Sequence, residues 1–420
     1  MSEILPATLN KVIDNPEQPA SRSAGPRLGS PLAVAAVFLC GICAFLDLYA
    51  TQPLLPLYSR IFHAGKGAVG LTVSASTMGV ALSAPFFGIF AERLSRKRVI
   101  VCSIAAVAIP TLLAATASTL NQLIFWRFVQ GLLAPGIFAI TIVYITEEWN
   151  SSNVAVVMSV YVSGTALGGF IGRILSGFVA EHFRWQDSFL VLGVVTLVGA
   201  AAVQRLLPRE SGALSRKDAF SLRSQILPMM EHLRNPRLLA TYAVGFNVLF
   251  SLVGVFTYIT FYLAEPPFLL STEDLSYLFV VYLIGLFVTP AAGFVISRVG
   301  LRRGIVSAVA ISMAGVAFTL VQSLGFVVAG LALVSTGVFI SQASATSYLR
   351  EATPAGQRVS AAGLYLSCYY VGGTAAGVVP SLFWKLGGWP ACVAFIASMQ
   401  LVTICIVLVG WRERRQVYTS

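Results

Sequence analysis

Residues 88–98 read Gly88-Ile-Phe-Ala-Glu92-Arg93-Leu-Ser-Arg96-Lys97-Arg98, with charges at Glu92, Arg93, Arg96, Lys97 and Arg98. On either side the chain is apolar for a span's length, over 69–91 and 99–118. A helix crossing about 30 Å of hydrocarbon needs roughly 20 such residues. Charges gather where the chain turns back into water, so this stretch reads as a short loop between two membrane helices. The same punctuation recurs along all 420 residues, of which 57% are hydrophobic and 11% charged. A soluble domain of this length needs far more polar surface. The expected class is an all-α polytopic membrane protein.

Apolar runs separated by charged or Gly/Pro breaks give twelve spans, at 32–57, 69–91, 99–118, 122–146, 154–180, 187–207, 238–262, 275–297, 304–322, 325–349, 359–384 and 390–411. With both termini inside, the loops and tails on that side hold 22 of the 28 basic residues. The opposite loops hold only Arg60, Lys66, Arg184 and Lys385, and Arg127 and Arg173 fall within spans. The net charge of +11 is thus a topology signal, and no nucleic-acid partner is expected. The chain divides into a disordered cytoplasmic tail (1–30), a six-helix bundle (31–207), a basic linker (208–236), a second six-helix bundle (237–411) and a short cytoplasmic tail (412–420).

The bundles repeat each other. Pro85 and Gly88 recur as Pro290 and Gly293, 205 residues on. Tyr144, Glu147, Tyr161, Ser163, Gly168, Gly169 and Trp185 recur as Tyr348, Glu351, Tyr365, Ser367, Gly372, Gly373 and Trp389, 204 residues on. Both copies begin on the same side, so the repeat is parallel, about an axis along the membrane normal, with a cavity expected between the bundles.

The opening stretch resembles the major facilitator loop signature G-x-x-x-[DE]-R-x-x-R-[KR], with a degenerate copy at Gly293, Arg298, Arg302 and Arg303. Leu123-Ile-Phe-Trp-Arg127-Phe-Val-Gln130-Gly131 resembles the family's second motif, L-x-x-x-R-x-x-Q-G. More narrowly, the chain resembles bacterial twelve-span drug:proton antiporters and sugar-efflux transporters. Such a resemblance implies two pseudo-symmetric six-helix bundles and alternating access in a bacterial inner membrane. Gly88 would let a helix approach closely, and Glu92 would accept bonds from the N-terminal end of span 11. Arg96 is placed to reach Glu147 or Glu148, making a cytoplasmic gate that includes Arg93 and Lys97, with Gly293, Arg298, Arg302, Arg303 and Glu351 in the second copy. Span 5 carries Gly164, Gly168, Gly169, Gly172 and Arg173, a helix-packing series resembling the antiporter motif G-x-x-x-G-P-x-x-G-G. Gly169 stands where Pro is usual there, and Arg173 where the last Gly is usual.

Asp47 is a carboxylate inside span 1, which costs about 2.5–3.5 kcal/mol by itself. Arg127, in the antiparallel span 4, falls at a similar depth and is its expected partner. In the repeat their counterparts are Ser251 and Leu331, so the fold does not demand either charge. Burial favours the neutral carboxyl and a neighbouring cation the charged one, which suits Asp47 and Arg127 to proton coupling. Gln52, Asn247, Tyr258, Tyr365 and Tyr369 are the expected substrate-cavity contacts. The reading is a secondary transporter, a proton-coupled exporter of a small organic or amphipathic compound. The alternatives are a proton symporter importing a metabolite and a non-transporting sensor or scaffold. The six cysteines all sit in apolar runs and read as packing residues, and no catalytic or metal site emerges. No cofactor is expected beyond the proton. The expected partners are a small-molecule substrate and membrane lipid, and the expected state is a monomer.

Overall fold

In hydrocarbon every backbone N–H must find its acceptor within the chain, which leaves helices as the means of crossing. The computed structural model describes residues 31–93, 95–210, 231–354 and 357–411, and among these there is no strand. The expectations for the tails 1–30 and 412–420, and for most of the linker, lie outside the described residues. The ends are called inner and outer after the lysine and arginine distribution.

Span 1 is a broken helix: Pro31–Leu46, a run of turns over 47–51, a 3-10 turn Gln52–Leu54 and a short helix Leu55–Ile61. Spans 2 and 3 are Lys66–Arg93 and Arg96–Ala114. Span 4 joins Leu120–Leu133 to Pro135–Glu148, and spans 5 and 6 are Ser151–His182 and Trp185–Leu206. In the second bundle, span 7 is Pro236–Ala264, while span 8 runs through Thr272–Tyr277, a 3-10 stretch Leu278–Leu283 and Ile284–Val299. Spans 9, 10 and 11 are Leu301–Phe318, Leu324–Ala352 and Arg358–Val378. The helix Pro380–Gly410 bends where Gly387 and Gly388 leave helical geometry; its first turns extend span 11, and the rest is span 12. Among the described residues nine helices are long and apolar enough to cross a membrane; spans 1 and 8 reach across in pieces, and span 11 runs from Arg358–Val378 into the first turns of Pro380–Gly410.

Small residues set the closest approaches. A Cβ on Gly164, Gly168 or Gly172 would strike the span 1 backbone at Phe38, Ile42 and Leu46 in turn. These are three successive turns of a single helix pair. The repeat does the same, since a Cβ on Gly372 would strike the Phe246 carbonyl of span 7. Gly131 of span 4 lies equally close to Ser76 of span 2. Between the halves, span 2 packs along span 11 and span 5 along span 8.

The outer end of this junction is bonded shut. Ser74 donates to the Thr374 carbonyl at 2.6 Å, and the Thr77 and Thr374 hydroxyls meet at 3.0 Å. Within the second half, Tyr258 donates to the Gly377 carbonyl at 2.9 Å and holds span 7 to span 11 at the same end. Lys66 pairs with Glu265 at 2.9 Å, and the Thr272 N–H donates to Glu181 at 3.0 Å. The structure is therefore an outer-closed conformation.

Candidate functional site

Span 1 loses its helix at Asp47, which leaves backbone carbonyls without helical partners in the middle of the membrane. Arg127 supplies the missing donors. Its Nη1 donates to the Asp47 carbonyl at 2.7 Å and to Gln130 Oε1 at 2.5 Å, and its Nε donates to the Thr72 carbonyl at 3.1 Å. Nη2 donates to the Leu48 carbonyl and, at 3.2 Å, to Ser76 Oγ. All five donors of this buried guanidinium are used. Ser176 completes the set by donating to the Ala50 carbonyl at 2.6 Å.

The expected side-chain pair between Asp47 and Arg127 is therefore corrected. The arginine holds the backbone of Asp47, while the carboxyl group turns toward span 6. There its Oδ2 accepts from Thr196 Oγ1 at 2.9 Å, and its Oδ1 is buried with no hydrogen-bond partner among the described residues. The break explains the difference: freed carbonyls compete for the guanidinium, and they sit closer to it than the side chain does.

Arg173 is the second correction. Its sequence position groups it with the packing glycines, but it is a buried cation at the junction of the halves. Its Nε donates to Gln52 Oε1 at 2.9 Å and its Nη1 to the Gly169 carbonyl at 2.6 Å. Gln52 Nε2 in turn reaches Thr257 Oγ1 of span 7 at 3.2 Å, so the chain Arg173–Gln52–Thr257 crosses between the halves. The guanidinium lies 4.6 Å from the Phe279 and Tyr282 ring centroids on span 8 and 5.0 Å from that of Tyr49 on span 1. Gly169 makes room for it, since a Cβ there would come within 3.1 Å of Nη1. Tyr369 is half-exposed, and its ring stands 6.1 Å from Tyr365 and 5.4 Å from Tyr370. Tyr365 reaches Gln342 Oε1 at 3.4 Å. Gln52, Tyr365 and Tyr369 are thus brought to the central region. Tyr258 is not: it is fully buried in the outer seam between spans 7 and 11. Asn247 is not either. It faces into the second bundle, lining a small cavity of about 10 Å³ with Ser251, Ser312, Ser341, Gln400 and Thr403.

At the inner end, Arg96 grips Glu147 with two bonds of 3.1 Å, from Nε and Nη2. The repeat does not reproduce this: Arg302 donates to the Leu408 carbonyl of span 12, and Glu351 is exposed with no ion pair among the described residues. Arg298 and Arg303 are exposed, and a Cβ on Gly293 would meet open space. Gly88, Glu92 and Arg93 close the helix of span 2, and the expectations for their side chains lie outside the described residues.

The Major Facilitator Superfamily profile matches residues 37–377. The chain belongs to this superfamily. An uncharacterized MFS-type transporter of Bacillus subtilis, YybF, is 31% identical over 382 residues, covering 90% of this chain and 94% of its own. The inner membrane transport protein YnfM of Escherichia coli is 30% identical over 385 residues, covering 91% and 90%. Among solved structures, a point mutant of the nucleoside transporter NupG superposes with a TM-score of 0.76 at 13% identity, covering 90% of this chain and all of that one. A bacterial homologue of the human lysosomal transporter Spinster gives 0.70 at 14%, covering 91% and 96%.

As a major facilitator the chain is a membrane transporter of a small molecule, and neither family nor fold is that of an enzyme. Three features of this facilitator escape a sequence reading. The helix break at Asp47 comes six residues before the nearest proline, Pro53. His232, in the charged linker of the sequence, is buried and bonded to Ser360 of span 11 at 2.9 Å. Glu210, just past span 6, caps the start of span 3. Burial pushes its carboxyl up, but bonds from Ser95 and from the backbone of Glu210, Lys97 and Arg96 outweigh that and hold it below the usual range.

Proposed function

We propose that this facilitator is a proton-coupled secondary transporter that exports a small organic compound by alternating access, with both termini in the cytoplasm of a bacterial cell. The observation that carries the proton is Asp47 itself. A buried carboxyl with one hydroxyl bond, one unpartnered oxygen and no ion pair among the described residues is costly to ionise. In the proposed cycle the outer-closed form is the protonated one. On deprotonation the anion competes with its own backbone carbonyl for Arg127. Transfer of the guanidinium to the carboxylate would release the break in span 1, and span 1 carries Gln52 of the inter-half chain. Protonation and the closure of the outer end are thereby linked through one residue. One charge crossing 100 mV supplies about 2.3 kcal/mol, roughly a fifty-fold gradient.

Export is supported by the span 5 glycine series that packs on span 1, which resembles the antiporter motif. The test uses everted membrane vesicles energised to an acid interior, with a pH-sensitive dye and a panel of small organic compounds. Export predicts that adding a substrate dissipates the gradient in vesicles carrying the transporter and not in control vesicles. Substrate-dependent flux without any proton movement would end this reading.

A further inference from the structure

The two buried arginines are used differently. Arg127 commits all five N–H donors to fixed acceptors. Arg173 commits two, to Gln52 and to the Gly169 carbonyl. No carboxylate pairs with it among the described residues, and the titratable groups acting on it are Tyr282 and Tyr49. A guanidinium is always charged, and an isolated charge taken out of water is costly. Phe279, Tyr282 and Tyr49 crowd around it at ring-centroid distances typical of cation–π contact. Such contacts recover part of that cost but the ring faces offer no lone pair, and the remaining donors on Nη1 and Nη2 have no hydrogen-bond partner among the described residues. Tyr369 lies within electrostatic reach of Tyr49 and Tyr282 and stands beside Tyr365 and Tyr370, which extends the aromatic surface along span 11. The rings belong to both halves, span 1 on one side and spans 8 and 11 on the other, so a ligand held here touches both.

We infer that Arg173 is the anion receptor of the central site, and that the transported compound is an organic monoanion, a carboxylate on an aromatic or apolar body. The unused N–H fork takes the carboxylate and the tyrosine wall takes the body. The inference rests on the transporter reading but not on Asp47, which lies on the span 6 side of span 1.

The test is ligand-induced thermal stabilisation of the purified full-length protein, with matched probes of one shape and three charges. The probes are 1-naphthoate, 1-naphthamide and 1-naphthylmethylamine, with the benzoate set as a smaller series. In the wild type the acids should bind at least about tenfold more tightly than their amides, and the amines more weakly still. Arg173→Gln should erase the difference between acid and amide, and Arg173→Lys should keep part of it, because it retains the charge without the fork. Should Arg173→Gln not fold, Arg173→Lys and Tyr282→Leu carry the test, each predicted to narrow the acid preference. The binding comparison imposes no pH gradient, so a failure of proton coupling and a failure of anion recognition are read separately. Acids binding no better than amides, no binding by any acid, or a full acid preference in Arg173→Gln would each overturn the assignment.

Discussion

Asp47 and Ser251 occupy the same place in the two halves, and their surroundings differ. In the first half the position carries a carboxyl bonded to Thr196, beside an arginine that holds a broken helix. In the second, Ser251 lies in an unbroken span 7, and the counterpart of Thr196 is Gln400, which donates to Ser312 at 2.8 Å. The arginine is replaced by Leu331, fully buried. Both halves pack their first and fifth helices through the same glycine, Gly168 or Gly372. The repeat thus separates what the bundle requires from what one half adds. Close helix packing is common to both, and the break, the arginine and the acid belong to the first alone.

The largest expected effect comes from making Arg127 into its counterpart, Arg127→Leu. This takes the guanidinium from the carbonyls of Asp47, Leu48 and Thr72, leaves Asp47 and Leu48 only the longer bonds from the Ala50 N–H and Ser76 Oγ, and removes the donor to the Gln130 amide oxygen. Stability should fall by about 3–5 kcal/mol, as for other buried networks that lose one charged member. Thermal unfolding in detergent reads this directly, and an unchanged melting temperature would mean the break needs no guanidinium. Next in size are Gly168→Ala and Gly372→Ala. Each Cβ would meet a backbone on the facing helix, costing about 1–3 kcal/mol. The two costs should be alike, and a large cost in one half only would break the equivalence of the bundles. Smallest is the pair Glu147→Gln and Glu351→Gln. The first removes the two-bond contact with Arg96, with Glu147 itself largely in solvent, and should cost about 0.5 kcal/mol. The second should cost nothing measurable.

Much of this fold is legible in the sequence, because lipid forces charge into loops and the repeat reveals itself through tyrosines, glycines and tryptophans at fixed offset. The site is less so, for identifiable reasons. The depths of Asp47 and Arg127 follow from counting residues, but which atom the guanidinium binds depends on a helix break that no glycine or proline marks at residue 47. Asn247 reads as a cavity residue because span 7 is apolar on every face, so its orientation is set by packing against spans 10, 11 and 12. Arg173 stands out in the sequence only as a departure from a glycine pattern. Its role depends on aromatic residues of span 8, more than a hundred positions away, which only the folded chain brings to it.

Asp47→Ser tests the central claim most directly, because it installs the residue the other half already uses at that place. Reconstituted in proteoliposomes, the variant should exchange substrate across the membrane at near the wild-type rate when no pH gradient is present. Under an imposed pH gradient it should fail to accumulate substrate, where the wild type does. Accumulation by Asp47→Ser equal to that of the wild type would contradict the assignment of proton coupling to Asp47.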